Sequence, residues 1–174
     1  MFVQLLIGAA IITVTIALQA VVIGLIESVF YRLKPWLMKP PRITKMVIVL
    51  IGVVLVIMVG VSINTWLWAA VFLAVDALET LEEAVYFATV SFTSLGFGDI
   101  TLGEKWRLLS SLAAANGLII FGLSTAFLME FIFELRTAQK EQAEKHYIGM
   151  LRKKMIRKQI RKQLKKHLNK DQQD

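Results

Sequence analysis

Three stretches without a charged side chain dominate this chain: Met1–Ile26, Met46–Val75 and Leu108–Met129. At about 1.5 Å per helical residue, each is long enough to cross a hydrocarbon layer roughly 30 Å thick. The 174 residues are 56% hydrophobic with a mean hydropathy of +0.62, too apolar for an ordinary soluble domain of this length. An all-α membrane protein with three spanning helices is expected. A fourth uncharged run, Ala84–Gly98, has only fifteen residues and contains the glycines at its own end, so it is expected to re-enter rather than span. The first run lacks the basic start and small-residue cleavage site of a secretory signal and exceeds the usual signal core, so it reads as a retained helix.

Charge sets the expected orientation. Arg32, Lys34, Lys39, Arg42 and Lys45 lie between Tyr31 and Lys45 without an acid, whereas Asp76–Arg107 holds six acids against two bases. Basic loops stay cytoplasmic, and the tail after Phe133 carries thirteen more Lys and Arg. With three crossings between them, the N-terminus is expected outside and the C-terminus in the cytoplasm. Trp36, Trp66, Trp68 and Trp106 stand near helix ends, where indoles anchor at the interface; burial between helices is the other reading for any one of them. Pro35, Pro40 and Pro41 separate the first two helices. The expected segments are an N-terminal helix (1–30), a basic cytoplasmic loop (31–45), a pore domain (46–137) and a basic tail (138–174). The chain has no cysteine, which excludes disulfides and thiolate metal sites, and both histidines, His146 and His167, fall in the charged tail. No nucleophile–base pair or metal-ligand cluster stands out, so no enzyme and no cofactor are expected.

The short fourth run carries the functional signal. Non-helical backbone at membrane depth is tolerated only inside protein or along a water-filled path, because lipid cannot satisfy its N–H and C=O groups. Thr80 followed by Glu83 reads as a capping box opening a short helix with Leu81, Ala84, Val85, Phe87, Ala88 and Phe92 on its apolar side. The carboxyl end of that helix carries partial negative charge and favours a cation. Next comes Thr93-Ser94-Leu95-Gly96-Phe97-Gly98-Asp99, where alternating glycines can take φ of either sign and aim successive carbonyls to one side. Rows of carbonyls can replace a cation's hydration shell.

Ser94-Leu95-Gly96-Phe97-Gly98-Asp99 resembles the Thr-Val-Gly-Tyr-Gly-Asp selectivity filter of pore-loop potassium channels, and the match extends over about Met46–Phe133. The resemblance implies a homotetramer passing K+ along the carbonyls of Ser94, Leu95, Gly96 and Phe97 and the Ser94 hydroxyl, with Gly98 closing the strand. It implies that Tyr86 supports the filter through Asp99, with core packing as the alternative for Tyr86. Gly117-Leu118-Ile119-Ile120-Phe121-Gly122-Leu123-Ser124-Thr125-Ala126 is similar to the inner helix of bacterial two-helix members, which puts a proposed gating hinge at Gly117 and a close helix approach at Gly122. Simple helix packing is the alternative for both glycines. Leu118, Phe121, Thr125, Met129 and Phe133 recur every three or four residues, so one stripe can line the cavity and narrow its cytoplasmic mouth, unless it is buried between helices.

Two positions depart from the family pattern. Ser94 keeps the threonine hydroxyl but drops its methyl, and Val90 stands where some bacterial relatives carry a glutamate bonded to the filter aspartate. The extra first helix suits small bacterial three-helix relatives and a bacterial-type plasma membrane. It has no repeat of Arg or Lys to sense voltage; Gln4, Thr13, Thr15 and Gln19 are the side chains able to bond a neighbouring helix.

From Arg152 to Lys170 the tail has ten bases and no acid, and Met155, Ile156, Ile160, Leu164 and Leu168 form an apolar edge at helical spacing. Gly149 is expected to loosen its join to the inner helix. Anionic lipid of the inner leaflet is the favoured partner, with a four-helix bundle as the alternative; nucleic acid is not expected, because aromatic interleaving is missing. Two further functions fit the composition: a poorly selective cation channel of the same architecture, and a membrane-anchored interaction subunit. The Phe97-Gly98 pair argues for the selective filter, since poorly selective relatives usually break it.

Overall fold

The computed structural model describes residues 2–37 and 42–170 and places them in four helices: α1 (Phe2–Leu37), α2 (Arg42–Ala74), α3 (Leu81–Phe92) and α4 (Arg107–Lys170). No strand occurs among the described residues. Lys39, Pro40 and Pro41, and the side chains of Arg42, His146, Leu164, His167 and Leu168, lie outside them. Phe2–Leu37, Thr44–Ala74 and Arg107–Thr137 are long and apolar enough to cross a membrane, in agreement with the three uncharged runs. The chain divides into two compact units, Met1–Ile132 and Phe133–Asp174.

α1 continues through Tyr31–Leu37, so Pro35 lies within a helix and not in the loop. Its place in the last turn explains this: a proline there removes one intrahelical bond only. The Lys45 ammonium donates to the Trp36 carbonyl at 3.1 Å and meets one of the open acceptors at that helix end. α4 likewise runs unbroken through Gly149, where a loosened join was expected. One helical glycine costs about 1 kcal/mol relative to alanine, which flanking helix formers offset.

α2 ends in a glycine-type cap without glycine. Ala77 N–H bonds the Phe72 carbonyl at 2.9 Å, Asp76 N–H bonds Leu73 at 3.0 Å, and Asp76 takes φ +53°. The turn delivers the chain to α3, which packs on α2 through Phe72 and Phe87, their rings edge to face at 5.2 Å. Trp68 is fully buried beside Phe72, so it is no interfacial anchor, whereas Trp36 and Trp66 remain exposed. The cause is helical rotation: two residues apart, at about 100° each, Trp66 and Trp68 point to nearly opposite faces.

Polar side chains tie α1 to the other spanning helices. Gln19 donates to the Ser124 hydroxyl of α4 at 3.0 Å and accepts from Asn64 of α2 at 3.2 Å. One turn away, Asn116 of α4 donates to the Thr15 hydroxyl at 2.7 Å. Gln4 donates to the Lys105 carbonyl just before α4. Thr13 bonds the Ala9 carbonyl of its own helix instead. Gln19, Thr15, Asn64 and Asn116 are fully buried, so each bond stands where water cannot replace it.

Among the glycines, Gly117 is the one most closely approached by another helix. A Cβ there would lie 1.9 Å from the Phe92 carbonyl oxygen and 2.7 Å from its carbon, both backbone atoms at the end of α3. Gly122, where close approach was expected, has no atom beyond its own helical turn within 4 Å of its ideal Cβ. Gly117→Ala therefore forces α3 and α4 apart and lowers stability by about 1–3 kcal/mol. Gly122→Ala, with open space at its Cβ, raises the subunit's stability by up to about 1 kcal/mol. Thermal unfolding of both variants in detergent checks the contrast.

Candidate functional site

The site is built on the two ends of α3. At its start Thr80 is extended (φ −115°, ψ 151°) and its hydroxyl accepts from Glu83 N–H at 3.2 Å, the threonine half of the expected capping box. Ala84, Phe87, Ala88, Val90 and Phe92 are buried, which fixes the rotation of the helix; Leu81 is exposed. At about 1.5 Å per residue, its twelve residues cover only about half the hydrocarbon thickness.

The carboxyl end of α3 passes directly into the glycine segment. Leu95 N–H bonds the Val90 carbonyl at 3.0 Å and Ser94 N–H bonds Ser91 at 2.9 Å, the paired pattern of a left-handed helix cap. Ser94 has φ +59°, Gly96 +57° and Gly98 +79°. Every second residue from Ser94 to Gly98 is thus left-handed, the alternation expected of a strand that turns its carbonyls to one side. Ser94 completes the pattern with a side chain present.

Beyond the glycine segment, Tyr86 donates its hydroxyl to Asp99 Oδ2 at 2.6 Å, as the resemblance implied, and Ile100 N–H donates to Asp99 Oδ1 at 3.1 Å. The Tyr86 bond holds the Asp99 carboxyl below its ordinary range, outweighing desolvation, which acts the other way; bonding to Asp99 raises the Tyr86 phenol. Val90 is buried and supplies no competing carboxyl. A cavity of about 880 Å³ lies behind the segment, bordered by Val90, Gly96, Gly98, Arg107 and Ser111, with Gln4 of α1 also on its wall.

On α4 the inner-helix residues separate by face. Ala113, Asn116, Gly117, Ile120, Ser124 and Phe127 are buried against the rest of their unit. Leu118, Thr125 and Met129 are exposed, and Phe121 is half-buried on Phe92, ring centroids 6.0 Å apart. Phe133, at the start of the second unit, is also exposed. The stripe is not buried between helices of its own chain. Gly117 is on the buried face, at the contact with Phe92. Asn64, Asn116 and Ser124, the partners of α1, were not singled out from the sequence; polar side chains within uncharged runs were the signal for them.

Residues 58–134 match a family model described as "Ion channel". This stretch spans the second half of α2, all of α3, the glycine segment and the apolar part of α4, and it agrees with the resemblance to pore-loop potassium channels. Its three long apolar helices mark the chain as an integral membrane protein, and residues 58–134 are similar to ion channels. Comparison with curated proteins and with solved structures gave no match.

Because the Asp99 pKa is lowered on folding, the Tyr86 contact contributes above the ordinary carboxylate pKa, about 4, and is lost only as pH falls below it. Because the Tyr86 pKa is raised, the phenol remains a donor past its ordinary value of about 10. The bond therefore holds across about pH 4–10. Tyr86→Phe keeps the ring, removes this donor and raises the Asp99 pKa toward its ordinary value, which NMR titration of the carboxyl between pH 7 and 3 in detergent reads.

Proposed function

We propose that this chain is one subunit of a homotetrameric potassium-selective channel. The observation that carries the reading is the alternation of left-handed φ at Ser94, Gly96 and Gly98, placed at the carboxyl end of a short buried helix. In the assembled pore, α3 enters from the outside and turns back at mid-membrane. Four copies of Ser94–Phe97 supply the carbonyl rings that replace the hydration shell of K+, with the Ser94 hydroxyl at the inner end. The partial negative charge at the α3 terminus favours the cation there.

The need for several subunits is supported by geometry, since one strand cannot surround a dehydrated ion and the sequence holds one such segment; four is the number that the resemblance implies. The large exposed side chains of Leu95, Phe97, Leu118 and Met129 fit this assembly, since exposed apolar surface of that extent calls for a covering partner or a pore lining. Leu118, Phe121, Thr125, Met129 and Phe133 then line the cavity and its cytoplasmic mouth. The N-terminus lies outside and the basic tail in the cytoplasm of a bacterial-type plasma membrane, against anionic lipid.

Purified protein in liposomes under a potassium gradient tests the reading. K+ flux that excludes Na+ supports it; equal flux of both ions marks a poorly selective channel, and no flux an interaction subunit. Gly96→Ala abolishes selective flux, because a Cβ at φ +57° costs about 1–2 kcal/mol and turns a carbonyl away. Removing residues 150–174 leaves selectivity unchanged and weakens the response of flux to anionic lipid, measured at low and high salt.

A further inference from the structure

Contact with the Phe92 backbone at Gly117 holds one point of α4, and a helix held at one point is free to lean about it. The Thr15–Asn116 bond adds a tie at the same level, one residue away. Seven residues on, about 10 Å further along the axis, Gln19 Nε2 donates to the Ser124 hydroxyl at 3.0 Å. Phe127 and Phe131 follow on the same face, but their contacts are apolar. Lipid tails offer an equally apolar surface to a helix that has leaned away, so these rings give the course of α4 little direction.

Gln19 reaches Ser124 from a frame that α2 holds. Its Oε1 accepts from Asn64 at 3.2 Å, and a Cβ on Gly60 would lie 3.0 Å from that same oxygen, so the amide is pinned against α2. Gln19 and Asn64 are fully buried and Ser124 is buried beside them. The tie to α4 can nevertheless open by itself. Ser124 gives its own proton to the Ile120 carbonyl at 2.7 Å and only accepts from Gln19, so that bond survives when Gln19 leaves. Gln19 keeps Asn64, and Asn116 keeps Thr15.

We propose that Gln19 is a positioning residue of the ion path, which through Ser124 holds the part of α4 beyond Gly117 back against α1 and so keeps the cytoplasmic mouth wide at Met129. The direction follows from helix geometry. At about 100° per residue, Ser124 stands about 100° round α4 from Thr125 and about 140° from Met129, so the bond pulls on the side turned away from the stripe. Thr125 and Met129 are exposed while Ser124 is buried, as that rotation requires. Without the bond, α4 leans toward the side the stripe faces, and four such helices narrow the mouth. The proposal rests on the reading of the chain as a four-fold channel subunit.

The sequence has no cysteine, so Met129→Cys gives the full chain a single site for a nitroxide label. In bilayer nanodiscs, four-fold assembly yields two label distances, adjacent and diagonal, which pulsed electron resonance reads. Both are expected to shorten in Gln19→Leu, and equally in Ser124→Ala, a smaller change that removes only the acceptor. Combining the two variants adds nothing, because one bond is lost in each case. Thr15→Val, which breaks the tie at the level of Gly117, leaves both distances as they are. In liposomes of the unlabelled chain, Gln19→Leu and Ser124→Ala lower K+ flux about three-fold, the shift that one interhelical bond supplies, and keep the preference for K+ over Na+. Unchanged or longer distances in Ser124→Ala overturn the proposal and leave the channel reading standing. Equal shortening in Thr15→Val, or further shortening in the combined variant, marks general loosening of the helices and overturns it as well. A labelled chain without the four-fold pair of distances removes the channel reading and this proposal with it.

Discussion

The contact between Gly117 and the Phe92 backbone fixes where the glycine segment begins. Phe92 is the last residue of α3, and Ser94, two residues later, opens the left-handed alternation. Any side chain at Gly117 would meet a backbone carbonyl, an obstacle that cannot rotate away. The helix that carries the inner-helix stripe is thereby locked to the helix that carries the segment. Rotation of α4 follows from this contact. With Gly117 turned inward, Asn116, Ile120 and Ser124 are buried, and Leu118, Thr125 and Met129 are left facing outward.

α1 depends on the same rotation. Asn116 and Ser124 reach Thr15 and Gln19 because the buried face of α4 is set at Gly117. In hydrocarbon, apolar contact alone gives little preference for one helix partner over another, since lipid tails are equally apolar. Side-chain hydrogen bonds at fixed heights supply register instead. Gln19 bonds α2 and α4 together, so the three spanning helices share one polar junction. The aromatic pair Phe30–Phe131, 4.8 Å apart, continues the α1–α4 contact toward the basic end.

The segment itself combines a strong local signal with a less obvious one. Two glycines at φ above zero need no tertiary explanation. Ser94 does: its left-handed conformation belongs to the cap of α3, and the hydrogen bonds from Ser94 and Leu95 back to Ser91 and Val90 hold it. Tyr86 and Asp99, thirteen residues apart, meet because the cap reverses the chain along its own helix.

Local patterns determined much of this architecture. Uncharged runs marked the spanning helices, Thr80 and Glu83 marked the start of α3, and the alternating glycines marked the segment after it, because each depends only on neighbours along the chain. The Tyr86–Asp99 pairing came from resemblance, and the separation along the sequence would not by itself have indicated it. What only the tertiary structure decided was rotation and partnership. Trp68 is buried and Trp66 exposed, Gly117 and not Gly122 meets a backbone, and Gln19 finds both Asn64 and Ser124. α1 and α2 have apolar residues on every side, so hydropathy has no period from which an inward face can be read. The inward face is set instead by a few small and polar side chains meeting across helices, and those meetings exist only once the helices have packed.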